Sequence, residues 1–125
     1  MKVIIVIIVV YTLFNIDTNV KGEDKMKIEI EFQYFEGCPH YKNLEKNLDS
    51  AIALFEDKII VNKIEINTIE MAKDKKFRGS PTIVINGEDF ENMELPKEIG
   101  LTCRYYSNGI PTKEEIIKKI NSFIE

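Results

Sequence analysis

From Ile28 the chain alternates. Ile28, Ile30, Phe32 and Tyr34 stand against Glu29, Glu31, Gln33 and Phe35, the period-two signature of a strand with one face buried. Gly37 ends the run. Pro39 then fits a first helical position, where a missing N–H costs nothing. Tyr41, Leu44, Leu48, Ala51, Ile52 and Phe55 recur at spacings of three and four, the apolar stripe of a helix. Lys58 to Ile66, rich in Ile and Val, reads as a second strand. Because a helix lies between the two strands, they should pair in parallel through a crossover.

Asn67-Thr68-Ile69-Glu70 has the form of an N-cap with its acid partner three residues on, opening a short helix that Gly79 and Pro81 stop. Thr82-Ile83-Val84-Ile85 predicts a buried strand, and Asn86-Gly87 is a tight-turn signal after it. The polar stretch Glu88 to Gly100 reads as an inserted loop. Leu101 to Tyr106 reads as the last strand, turned by Ser107-Asn108-Gly109. Thr112-Lys113-Glu114-Glu115 is a capping box, and Ile116, Ile117, Ile120, Phe123 and Ile124 give the closing helix its apolar side. The order β-α-β-α-β-β-α predicts an α/β fold: a four-stranded mixed sheet with helices on both faces.

The segment before this domain is different in kind. Val3 to Phe14 is almost unbroken aliphatic sequence behind Lys2, shorter than the roughly 20 residues of a comfortable membrane span. With its polar exit and Val20-Lys21-Gly22, it fits a secretory signal. The domains are therefore read as 1–25, signal peptide or membrane anchor, and 26–125, folded domain. This implies an exported or membrane-tethered protein, in contact with a membrane only through an uncleaved leader. Met26 as the true start would instead make it cytoplasmic.

The 125 residues are 44% hydrophobic and 30% charged, with net charge −4. That is a single ordinary domain without the basic stripe that nucleic acid requires. Two cysteines, Cys38 and Cys103, and one histidine, His40, do not fill a structural zinc site, and no metal or cofactor is expected. The run Lys73-Asp74-Lys75-Lys76 is read as a solvated helix face or, alternatively, as a positive rim for an anionic partner such as glutathione.

The chemistry centres on Tyr34-Phe35-Glu36-Gly37-Cys38-Pro39-His40-Tyr41. A sulfur where a helix begins is pushed toward thiolate by the unpaired amides and the helix dipole. His40, if protonated, would help to hold that charge. Tyr41 is read as a core or lip aromatic and Arg104 as a surface charge, and one of Tyr105 and Tyr106 should pack while the other faces out. Cys38 and Cys103 are each also readable as small buried hydrophobes.

The element order, Cys38 at the start of the first helix and Gly79-Ser80-Pro81-Thr82 before the third strand together resemble the thioredoxin-like superfamily, in particular its small bacterial and archaeal members. These share Phe35-Glu36-Gly37-Cys38-Pro39, Phe77-Arg78-Gly79-Ser80-Pro81-Thr82 and Gly100-Leu101-Thr102-Cys103-Arg104-Tyr105. The resemblance implies a cis Ser80–Pro81 bond with Pro81 against the active cysteine, and Pro39, Tyr41, Ser80 and Thr82 around a binding groove. Cys38-Pro39-His40 matches the Cys-Pro-His-Cys of strongly oxidising members, but Tyr41 replaces the second cysteine, so no dithiol cycle runs within the motif.

Several outcomes stay open. Cys38 works as a monothiol on a disulfide- or thiol-containing protein, with glutathione or another small thiol closing the cycle. Or Cys103 is the second thiol, although a last strand starting at the far end of the sheet would hold it beyond the roughly 7 Å that a disulfide allows between Cα atoms. Or the groove grips a peptide without chemistry, or the thiols capture a soft metal such as mercury.

Overall fold

The computed structural model describes residues 27–124. The readings made for residues 1–25 lie outside them. Strand β1 (Ile28–Tyr34) leads through a turn to helix α1 (Tyr41–Ile52). A 3₁₀ turn (Glu56–Lys58) precedes β2 (Ile59–Glu65) and helix α2 (Ile69–Asp74) follows it. Then come β3 (Thr82–Ile85), β4 (Glu88–Asp89) and helix α3 (Lys113–Ile124). The sheet order is β2-β1-β3-β4. The β1/β2 pair is parallel, whereas β1/β3 and β3/β4 are antiparallel. The chain is thus α/β with a four-stranded mixed sheet, and the crossover through α1 makes its first pair parallel. Among the described residues no helix is long and apolar enough to cross a membrane.

The alternation in β1 sorts the sheet into two faces. Ile28, Ile30 and Phe32 join Leu44, Leu48 and Ala51 of α1 and Ile116 and Ile120 of α3 in the main core. Each large aliphatic chain fully buried there contributes about 1.5–3 kcal/mol. Ile66, Ala72 and Phe77 form a smaller cluster with Phe35, Ile64, Met71, Ile99 and Leu101 packed around it. Ala72 is the one residue of α2 that is buried. The capping box before α3 is formed in both directions: the Glu115 N–H donates to Thr112 Oγ1 at 3.1 Å, and the Thr112 N–H donates to Glu115 Oε1 at 2.9 Å. The cap of α2 is Thr68, one residue after the Asn67 expected from sequence, because its hydroxyl accepts from the Met71 N–H.

Two expectations are corrected. Helix α1 starts at Tyr41, so Pro39 and His40 belong to the turn that feeds it. The fourth strand is Glu88–Asp89 and not Leu101 to Tyr106. Asn86 and Gly87 both adopt positive φ, 49° and 85°, the geometry of a two-residue hairpin turn, and the chain returns at once beside β3. That hairpin occupies the sheet edge. Leu101 to Tyr106 instead runs past Gly79-Ser80 and makes one isolated parallel bridge, Ser80 with Cys103.

Candidate functional site

The site forms where the end of β1, the approach to β3 and the Leu101–Tyr106 segment meet. After β1, the Cys38 N–H donates to Phe35 O at 3.0 Å, closing a tight turn through Glu36 and Gly37. A Cβ at Gly37 would lie 2.5 Å from Phe35 Cζ, so any larger residue there displaces the Phe35 ring. The turn delivers Cys38 to the N-terminal flank of α1 and buries it completely. Its Sγ lies 3.8 Å from Ser80 O.

Ser80 is the hub. Its Oγ accepts from the Phe35 N–H at 2.9 Å, tying the loop before β3 to the end of β1. Its own N–H donates to Thr102 O, and its O accepts from the Arg104 N–H, both at 2.8 Å. These last two bonds clasp the backbone on either side of Cys103. The Ser80–Pro81 bond is cis, as the resemblance implied. Pro81 is fully buried, and its O accepts from Tyr106 Oη at 2.6 Å. Thr82 Oγ1 donates to Gly79 O at 2.6 Å.

Cys103 is disulfide-bonded to Cys38 across 65 residues, with the Cα atoms 5.7 Å apart. The sequence expectation of too great a separation is therefore overturned. The cause is the path of Leu101–Tyr106, which is not an edge strand but a strap laid against Ser80. The two halves of the bond differ in environment. Cys38 has no exposed surface, whereas Cys103 is exposed.

Burial alternates along the strap: Arg104 and Tyr106 are buried, Cys103 and Tyr105 are exposed residues, and Tyr105 is 86% exposed. One tyrosine packs and the other faces out, as expected. Arg104 corrects the surface reading. Its side chain is 1% exposed and its guanidinium takes both oxygens of Asp89, Nη1 to Oδ1 at 2.6 Å and Nη2 to Oδ2 at 2.9 Å. Nη1 also donates to Thr82 Oγ1 at 3.2 Å. The Tyr106 ring lies 4.7 Å from the guanidinium carbon, within cation–π range. Asp89 Oδ2 further accepts from the Glu91 and Met93 N–H groups.

Burial pushes the Asp89 carboxyl up, but the Arg104 hydrogen bonds and those two backbone donors outweigh it and hold the group below its ordinary range. Burial pushes the Tyr106 hydroxyl far up, so it stays a proton donor to Pro81 O.

His40 and Tyr41 stand apart from this network. His40 is exposed and its side chain caps no N–H of α1. Tyr41 stacks on Tyr34 with centroids 4.6 Å apart and donates weakly to Glu36 Oε1 at 3.4 Å. Burial, and then Glu36, raise its hydroxyl above the usual value. The residues missed by sequence reasoning are Asp89, Arg104 as an anchor, and Tyr106. Arg104 and Tyr106 show in sequence only through the strap's alternation, and Asp89 has no signal beyond its place after Asn86-Gly87.

Gly79 makes the clasp possible. Its φ is +103°, and a Cβ would sit 2.9 Å from Arg104 Cβ and 3.0 Å from the Arg104 backbone. Gly79→Ala should therefore destabilise the domain by about 1–3 kcal/mol, read as a lowered urea midpoint with an unchanged slope.

No family model matches the chain, and no curated protein matches it. A solved structure of a malarial protein is similar to it over 79% of this chain and 99% of that one, with a TM-score of 0.54 at 11% identity. That likeness is one of fold.

Proposed function

We propose that the chain is a thioredoxin-like thiol–disulfide exchange protein whose working pair is Cys38 and Cys103. Support for the fold comes from the β-α-β-α-β-β-α order, the β2-β1-β3-β4 sheet and the cis proline immediately before β3. The observation that carries the chemistry is the asymmetry of the disulfide, a sealed sulfur beside α1 bonded to an exposed residue on a strap.

A substrate thiolate approaches from the Cys103 side, because Cys38 is enclosed. It attacks Cys103 Sγ, a bond forms between those two sulfurs, and the Cys38–Cys103 bond breaks. Cys38 leaves with the electron pair as a thiolate, at the helix end where negative charge is favoured. A second thiolate, from the same dithiol or from a second molecule of a small monothiol, then displaces Cys103 from the mixed disulfide. The substrate ends as a disulfide, the protein holds two reduced cysteines, and two electrons have moved. Protons exchange with water. The reverse sequence oxidises the protein again. The second cysteine missing from the motif at Tyr41 is thus supplied by the strap, and the one-cysteine scheme is not needed. The substrate is a dithiol or disulfide of a protein or a small thiol such as glutathione. A soft metal finds no thiolate while the bond is closed.

The test is equilibration of the full chain in glutathione buffers of stepped ratio, with alkylation and intact mass as the readout. Both cysteines should convert together, at a potential less reducing than the roughly −300 mV below which structural disulfides lie. In Cys38→Ser, Cys103 should form a glutathione adduct quickly, while in Cys103→Ser the buried Cys38 should alkylate slowly. A bond that stays closed down to that limit would leave a structural cross-link and no exchange activity.

A further inference from the structure

Helix α2 is too short to roof its side of the sheet. Six residues span about 9 Å at 1.5 Å per residue, against about 23 Å for the seven residues of β1. Beyond its end the sheet face is open, and a cleft of about 470 Å³ lies there. Cys38, Ser80, Pro81 and Cys103 do not line it.

Gln33 does, and it is 2% exposed. Its Nε2 donates to Glu31 Oε1 at 2.6 Å, but its Oε1 is buried and has no hydrogen-bond partner among the described residues. A buried acceptor without a donor is costly, and native structures hold few of them. The cleft walls carry both signs of charge. Glu29 and Glu31 lie along β1, and Lys76 and Arg78 lie past the end of α2. Lys75 reaches Glu31 at 3.7 Å, whereas neither Lys76 nor Arg78 forms an ion pair with a described carboxylate.

We propose that this cleft binds a short free peptide as a zwitterion. The Gln33 amide turns its buried Oε1 into the cleft to accept an N–H of the peptide, whose ammonium lies toward Glu29 and Glu31 and whose carboxylate lies toward Lys76 and Arg78. The mixed walls decide the class. A phosphate would meet the two glutamates and a simple amine the two cations, but a zwitterion matches both. The size of the cleft favours a peptide over a single amino acid.

Trialanine is the probe, titrated into the full chain while the Gln33 side-chain amide is followed by NMR and the melting temperature is read in parallel. A saturable shift of the Gln33 resonances with a rise in melting temperature is expected, with acetate, methylammonium and N-acetyl-trialanine amide giving neither. Gln33→Met should weaken binding about tenfold, the cost of one hydrogen bond to a buried acceptor. Lys76→Asn, which keeps a residue tolerant of the positive φ at that position, should weaken it severalfold. If Gln33→Met does not fold, Lys76→Asn and the capped peptide decide. No saturable shift up to about 10 mM, equal binding of the capped peptide, or binding unchanged in the variants would overturn the proposal.

Discussion

Asp89→Ala is expected to destabilise the domain by roughly 3–5 kcal/mol, the range for removing one partner of a buried ion pair. The Asp89 side chain is 2% exposed and that of Arg104 1%, so the guanidinium left behind would lose its bidentate partner without gaining water, keeping only Thr82 Oγ1 at 3.2 Å and the half-exposed Glu91 carboxylate at 3.9 Å. The loss extends past the pair, because Asp89 also holds the Glu91 and Met93 N–H groups. Arg104→Met should cost a similar amount for the mirror reason, a carboxylate left buried. The double variant Asp89→Ala/Arg104→Met should lose much less than the sum of the two, since no unpaired charge remains. Urea denaturation of the four proteins at neutral pH closes this cycle, and additive losses would show that the pair is not the source.

The same pair has a pH signature. The Asp89 carboxyl binds its proton more weakly in the folded chain than in the unfolded one. Its contribution is therefore fully present above the ordinary carboxylate range. It is lost as pH falls through the depressed folded value, where the unfolded state gains protons first. Asp89→Ala/Arg104→Met should show a flatter decline of stability in acid than the wild type. Arg104 plays no part in this window, since its already high value is raised further.

Local signals in this sequence were readable wherever a segment's own neighbours decide its structure. The period of two in β1, the stripe on α1, the capping box at Thr112 and the Asn86-Gly87 turn each follow from contacts within a few residues, and each is formed. What stayed hidden depends on partners far along the chain. Leu101 to Tyr106 alternates like a strand and buries like one, with Arg104 and Tyr106 inward. Its partner is nevertheless the loop at Ser80, and two acidic residues of low strand propensity hold the sheet edge because a hairpin turn puts them there. That single misplacement carried two others with it. A strand edge would have put Arg104 in solvent and Cys103 far from Cys38. The strap instead lodges Arg104 against Asp89 and brings Cys103 within bonding distance. Cys38 itself is legible from the Gly37 turn that leads to the helix at Tyr41, but its burial is not, because what covers it comes from elsewhere in the chain.

Opening the disulfide should cost the fold about 4 kcal/mol, from the chain entropy released to an unfolded state no longer closed over 65 residues. The cleanest comparison is the wild-type chain with and without reductant, which changes no side chain, with Cys103→Ser as the second reference. A domain of about 100 residues has roughly 5–15 kcal/mol to lose, so the reduced chain is expected to stay folded, with a lower urea midpoint and a larger exposed surface only in the strap. The proposed exchange demands this outcome, because a redox partner has to survive in both states. The strap makes it reasonable: the clasp at Ser80, the Asp89–Arg104 pair and the Tyr106 bond to Pro81 hold Cys103 near Cys38 without the covalent link. The two perturbations should then be coupled. Asp89→Ala frees the segment whose position makes the bond easy to close. Combined with reduction it should cost more than either loss alone suggests, by the 0.5–3 kcal/mol typical of interacting sites. Strict additivity would mean that the strap and the cross-link act independently, and a chain that unfolds on reduction in otherwise native buffer would mean that the cross-link holds the strap in place.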